Sequence, residues 1–404
     1  MNNVVTSTSE SDPDYRFLRE LVAIESPSFD AESSARVVAP IAERLRAAGG
    51  DVKLVTTEAG TNLVADFAGP GAPLLFVGHT DTVWPHGTLA NDLPWSQEAG
   101  ITRGPGVYDM KSGIVIMCAA LERTRNTRTC AVRVLLTCDE EVGSPTSRDL
   151  IIEAARGVRA AIGFESPHPD GALKVGRRGS TRLSLTVTGK AAHAALEPEK
   201  GTSAINELVD QLVQVRGIIE DIGNQLSPVL CNIGTVSGGS RANVVAEQAS
   251  AEIGLRFIDR ESETATLSAL SSLRPLRAGA QITTSMLSSR PAWKASAADD
   301  SFLEELTAAA SRLGQPLSGR PAAGAGDTNL VGSLGVASVD GFGPLGGGAH
   351  ALTEHIITAS LADRIALLCE VLNTEPTRIS EHETQEKDAR TSVAHLKEAS
   401  TTEQ

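Results

Sequence analysis

The stretch GHTDTVWP (residues 78–85) sets a histidine and a carboxylate two positions apart at the end of an apolar run, APLLFVG. On an extended chain His79 and Asp81 project to the same side. That suits a metal-ligating imidazole whose other ring N–H goes to a carboxylate. It also suits a plain strand end with two polar residues in a loop. Other polar residues raise the same pair of readings. Asp109 in RGPGVYDMKSG precedes a helix, where an acid also serves as a cap. Glu140 and Glu141 follow VRVLLTCD and could form a solvated acidic turn. Glu165 follows RAAIGF and could be a rim carboxylate. His350 ends the glycine-rich GPLGGGAH and could hydrogen-bond to backbone.

The joint pattern is more telling than any member. Five or six carboxylates and imidazoles gathered at one edge would repel and desolvate one another without a cation. Two divalent metals would neutralise them. Imidazole and carboxylate donors without thiolate suit zinc or a similar first-row ion. Cys138, one position before the acid run, reads as buried packing.

The elements that must position these residues alternate in type. Strands are expected at 52–56, 62–67, 74–78, 132–138 and 159–164, with helices before the first and on either side of 132–138. In the helix predicted within 26–50, Val37, Val38, Ile41, Ala42 and Leu45 recur at helical spacing, and Gly49-Gly50 stops it. LLFVG is apolar throughout, as strands of a doubly covered parallel sheet are. The alternation predicts an α/β fold with a mainly parallel sheet, in which functional groups collect at the carboxyl ends of strands. Near Gly176 the pattern changes. TRLSLTVTGK alternates apolar and polar, and a long helix and two further strand-like runs follow. The reading is an antiparallel α+β insert over 176–289. It divides an α/β domain into 14–175 and 290–374, with polar tails at 1–13 and 375–404.

A chain of 404 residues exceeds what one core usually serves. With a formal charge of −14, no nucleic-acid or acidic-membrane partner is expected, because phosphate contacts need clustered Lys and Arg. Five cysteines without paired spacing predict a reducing compartment. There is no signal-peptide pattern in the first 20 residues and no uninterrupted apolar window of membrane length. The expectation is a cytoplasmic protein.

The ordered pieces GHTDTV, RGPGVYDMKSG, DEEVGS, GFE, TGKAAHA and GDTNL…GPLGGGAHALTE resemble the di-zinc peptidases and deacylases. That family includes glutamate carboxypeptidase, aminoacylase, acetylornithine deacetylase and succinyl-diaminopimelate desuccinylase, and the flavour here is that of glutamate carboxypeptidase. The resemblance implies two Zn²⁺ ions, with Co²⁺ or Mn²⁺ as substitutes. His79, Asp109 and Glu165 would hold one ion, and Asp109, Glu141 and His350 the other. Asp81 would orient His79, and Glu140 would be the general base. A cis Asp109–Met110 bond is implied. His193 would stabilise the oxyanion from the partner subunit of a homodimer formed through the insert, which would serve as dimerisation and lid unit. Arg256 and Asn243 match positions that grip a substrate carboxylate, with Arg178 and Arg290 as further candidates. The implied reaction is hydrolysis of an amide bond beside a free carboxylate, in an N-acyl or N-aroyl amino acid or a short peptide. The alternatives are a deacylase of acetylornithine type, or an amidohydrolase of an unusual small aromatic molecule. Two departures stand out: Ala349 replaces the usual bulky residue before the last histidine, and a lysine carried after the Glu165 position has no clear counterpart.

Overall fold

The computed structural model describes residues 12–375. The tails expected over 1–13 and 375–404 therefore lie outside it, apart from Asp12, Pro13 and Glu375. Pro13 opens the first helix, Pro13–Ala23, where its fixed φ and missing N–H fit the first turn and the Asp12 side chain accepts from Asp14 N.

The central sheet has six strands. In spatial order they are Asp51–Thr56, Thr61–Phe67, Val132–Thr137, Leu74–His79, Ala160–Gly163 and Ser338–Val339. The strand Leu74–His79 lies in the middle, parallel to Val132–Thr137 and to Ala160–Gly163, and the short Ser338–Val339 continues that direction. The first two strands form an antiparallel hairpin at the edge. The sheet is thus mainly parallel where the polar strand ends collect and antiparallel where the chain begins. All six residues of Leu74–His79 are buried, which is why that segment carries no alternation.

Helices Pro13–Ala23, Ala31–Ala47, Ser112–Arg123 and Thr358–Asn373 pack with the sheet into one large apolar core. Ser112–Arg123 is apolar on nearly all sides and correspondingly buried from Ser112 to Leu121. It begins directly after Asp109–Lys111, so the helix that fills the core also fixes the height of Asp109.

A separate four-stranded antiparallel sheet follows, in the order Leu230–Gly238, Gln248–Phe257, Gly179–Thr188 and Gln281–Arg290. Helices Ala204–Gln225 and Arg260–Ser271 cover one face around a second apolar cluster. The chain enters and leaves this unit side by side. Arg177 and Trp293 exchange backbone hydrogen bonds, and the Asn329 amide donates to the carbonyls of Arg178 and Pro291. Two elements here escape a reading by pattern. The strand Gln281–Arg290 (QITTSMLSSR) is largely polar and has no fully buried residue, and the helix Arg260–Ser271 (RESETATLSALS) carries only a thin apolar stripe.

Gly113 marks a close approach of the core helix to the sheet. A Cβ there would sit 2.4 Å from the Phe164 carbonyl oxygen and 2.8 Å from Met110 Cε. Gly113→Ala is therefore expected to lower stability by about 1–3 kcal/mol through overpacking. Thermal or urea unfolding of the purified variant checks this, and an unchanged midpoint would show that the helix can move away freely.

Candidate metal centre

The carboxyl ends of the parallel strands converge as the order of the sheet requires. His79 is the last residue of its strand. Glu140 and Glu141 follow Val132–Thr137, and Glu165 follows Ala160–Gly163. Asp109 arrives in the turn before the core helix, and His350 arrives from a loop near the short pairing of Gly346–Gly347 with His355 and Ile356. His350 has φ 61°, in the left-handed region that non-glycine residues rarely occupy. The Asp109–Met110 peptide bond is cis.

Asp109 is the hub. Its Oδ1 lies 3.2 Å from His79 Nε2, and its Oδ2 lies 3.2 Å from His350 Nε2. Glu165 Oε1 is 3.4 Å from the same His79 nitrogen, and Glu141 Oε2 is 3.2 Å from the same His350 nitrogen. Two triads thus share one carboxylate. Asp81 supports both. Its backbone carbonyl lies 2.9 Å from His79 Nδ1, and its carboxylate accepts from the N–H groups of Glu140 and Glu141 at 3.1 Å each. Ser28 donates to Asp81 Oδ2 at 2.6 Å. Glu140 points its carboxylate at Arg290, with Oε1 2.7 Å from Nη2, and the same nitrogen donates to the Glu140 carbonyl.

The electrostatics follow from crowding. Burial alone would lower the pKa of His79, but hydrogen bonds with Asp109, Asp81 and Glu165 more than offset it and hold the ring well above the usual histidine range. Asp109 and Glu141 raise His350 to about 10. Burial would raise Asp109, yet the two imidazoles keep it below the usual carboxylate range. Glu140 is pushed well up by burial, against the pull of Arg290, and Glu165 is raised by burial and by Asp109.

The other residues singled out from the sequence lie elsewhere. His193 is exposed, and its Nδ1 accepts from the N–H groups of Ala195 and Leu196. Asn243 is exposed and accepts from Ala194 N through its carbonyl. Arg256 is exposed on its strand and donates to the Leu255 carbonyl. Arg178 is half-buried at the entry to the antiparallel unit. Among the described residues no hydrogen bond or ion pair joins His193, Asn243, Arg256 or Arg178 to the cluster. Arg290 does join it, facing the carboxylate of Glu140.

Comparison with known proteins agrees with this arrangement. A profile of Peptidase family M20/M25/M40 matches residues 75–374. The chain belongs to that family. It is 29% identical to carboxypeptidase G2 of Pseudomonas sp. over 272 residues, which cover 65% of this chain and 64% of that protein. It is 31% identical to a succinyl-diaminopimelate desuccinylase of Xanthobacter autotrophicus over 261 residues, 59% of this chain and 67% of the relative. The match to carboxypeptidase G2 thus spans just under two thirds of that relative's length. Among solved structures, an M20 family metallo-carboxypeptidase from Sulfolobus solfataricus superposes with a TM-score of 0.70 at 17% identity, covering 90% of this chain and 99% of that one.

M20 membership makes a metal the question to put to this cluster, and the side chains fit one. Ligand atoms of His79, Asp109 and Glu141 lie within 4.8 Å of one another, as do those of His79, Glu140 and Glu165. Glu141 Oε1 is buried without any hydrogen-bond partner, an acceptor left unsatisfied by protein groups. Oxygen and imidazole donors without thiolate fit a zinc-like divalent ion.

Residues that the sequence did not single out complete the site. Ser28 anchors Asp81. Lys174 reaches Ser166 Oγ at 3.5 Å, beside Glu165. Glu354 closes the Asp109 turn from behind. Glu354 stood in view in the quoted GGGAHALTE, but its role depends on backbone donors some 250 residues away.

A pH prediction follows for the metal-free chain. A histidine whose folded pKa is raised contributes stability that is complete below its unfolded value of about 6.5 and is lost as pH climbs through the folded value. With His350 raised to about 10 and His79 also raised, the melting temperature should fall steadily from pH 7 to pH 10. Scanning calorimetry of chelator-treated protein checks this. A profile flat over that range would mean that the imidazoles are not held protonated by the carboxylates.

Proposed function

We propose that the chain is a cytoplasmic di-metal hydrolase that cleaves an amide bond beside a free carboxylate in an N-acyl or N-aroyl amino acid or a short peptide. The observation that carries the reading is the division of Asp109, one oxygen toward His79 and Glu165 and the other toward His350 and Glu141. His79, Asp109 and Glu165 would hold one ion and Asp109, Glu141 and His350 the second, Zn²⁺ by preference. Bound there, a pair of divalent ions supplies Lewis acidity, lowering the pKa of water and polarising the scissile carbonyl.

The chain's own groups do the rest. Asp81 holds His79 and, through the N–H groups of Glu140 and Glu141, fixes both acids with one carboxylate. Glu140 accepts a proton from the attacking water and returns it to the leaving nitrogen. Burial raises its proton affinity, and Arg290 keeps that affinity in check. An oxyanion needs a donor, and we assign His193 of a second copy, since His193 of the same chain is exposed and apart from the cluster. Arg256, Asn243 and Arg178 are the proposed grip on the substrate carboxylate, with arginine offering two parallel hydrogen bonds.

A homodimer through the antiparallel unit belongs to this proposal. Strand Leu230–Gly238 is a free sheet edge with Leu230 and Val236 exposed, and helix Ala204–Gln225 beside it exposes Val209 and Val213. An unpaired edge next to an apolar helix face is suited to a second copy. Similarity to the desuccinylase keeps a second reading open, a deacylase of N-acyl amino acids. Turnover of aroyl-glutamate, N-acetyl and N-succinyl amino acids by zinc-loaded protein separates the two.

Two variants test the mechanism. Glu140→Gln should keep two equivalents of zinc and lose at least about a hundredfold in kcat. Loss of one metal equivalent instead would make Glu140 a ligand, and undiminished turnover would remove it from the mechanism. Val213→Glu should convert the dimer to monomer in analytical ultracentrifugation and lower kcat with metal content intact. A fully active monomer would end the role assigned to His193 of the second copy.

A further inference from the structure

Glu354 is fully buried, four residues after His350, and its two oxygens accept four hydrogen bonds. Oε2 takes Trp84 Nε1 at 2.6 Å and Gly106 N at 3.0 Å. Oε1 takes Tyr108 N at 2.9 Å and Asp109 N at 3.1 Å. The three segments involved carry His79, Asp109 and His350, three of the cluster's ligands. Trp84 belongs to the loop that leaves His79 and Asp81, Gly106 to Asp109 form the turn that carries Asp109, and Glu354 itself follows His350 on the third. An ionised carboxylate only accepts hydrogen bonds, and here both oxygens are used, three of the four donors being backbone N–H groups.

We infer that Glu354 is the positioning residue of the metal centre: one buried carboxylate ties the His79, Asp109 and His350 segments into a single geometry. The inference rests on the two-metal reading above. Charge-assisted hydrogen bonds are the stronger kind, and this carboxylate accepts three of them from the backbone of the Asp109 turn. Without them the Asp109 turn keeps its covalent path but loses the reason to hold its two oxygens toward two different imidazoles. The effect therefore falls on metal affinity more than on folding. Outer partners that orient ligands typically cost about 10–100-fold in metal affinity when removed.

The test compares wild type, Glu354→Gln and Trp84→Phe, each stripped with a chelator and titrated with Zn²⁺ against a competing dye and with Co²⁺ by visible absorption, below each variant's melting temperature. Glutamine keeps the size and one acceptor oxygen but turns an NH₂ toward two N–H donors. The expected result is that wild type takes up two equivalents, that Glu354→Gln loses about 10–100-fold in affinity for the weaker equivalent with an altered Co²⁺ spectrum, and that excess metal restores occupancy. Trp84→Phe, which removes one donor and spares the backbone bonds, should show a smaller loss in the same direction. Wild-type affinity and spectrum in a folded Glu354→Gln overturn the inference and leave the metal reading standing. If Glu354→Gln does not fold, Trp84→Phe decides, with a loss of affinity for the inference and wild-type binding against it. A wild-type chain that takes up no metal removes both.

Discussion

Buried negative charge is the constraint around which this structure is arranged. Asp81, Asp109, Glu140, Glu141 and Glu165 meet at one edge of one sheet, with His79, His350 and Arg290 paired to them as cationic groups. Two unit charges about 4 Å apart at an effective dielectric near 20 interact by about 4 kcal/mol. Several such repulsions would oppose the stability of a whole domain, which is typically about 5–15 kcal/mol. In the metal-free chain the neighbouring carboxylates favour protons on both imidazoles, and burial favours them on Glu140 and Glu165. Divalent ions would relieve the repulsions more completely and release those protons, so metal uptake and proton release are two sides of one balance.

The rest of the fold keeps the acids from spreading apart. Parallel strands deliver His79, Glu140 and Glu165 to the same edge because all three strands run the same way. The core helix anchors Asp109, since its first turn is buried against the sheet and Gly113 lets it approach the Phe164 carbonyl. Backbone N–H groups then do what solvent would do elsewhere. Asp81 takes two of them from the acid turn, and Glu354 takes three from the Asp109 turn. Neutral amide dipoles stabilise these carboxylates without adding cations that would compete with a metal.

Much of this was legible in the sequence, for a physical reason. Burial leaves a direct imprint on residue type, so APLLFVG and VRVLLTC announce strands, and polar residues at their ends announce a sheet edge with a purpose. The alternation in TRLSLTVTGK likewise announces a sheet with one open face. What stayed hidden is whatever depends on partners rather than burial. The strand Gln281–Arg290 carries only a weak apolar signal because none of it is fully buried. The antiparallel hairpin of 51–67 looks, residue by residue, like any other pair of strands, since direction is not a property of composition. Arg290 read as a possible hand for substrate, and its pairing with Glu140, a contact between residues 150 apart, was not foreseen.

That last contact has a consequence for how the two units work together. Arg290 ends the last strand of the antiparallel unit, while Glu140 belongs to the catalytic edge. The pair is therefore a link between units as well as a charge balance. The paired segments at Arg177 and Trp293, held by the Asn329 amide, tether the antiparallel unit at its root. Arg256 pairs in register with Ser180 at that same end, as Arg290 does, whereas His193 and Asn243 lie beyond the far end of strand Gly179–Thr188. In the proposed mechanism Arg290 would temper the proton affinity of Glu140 from the root of the unit, leaving His193 and Asn243 at its far end to reach for substrate.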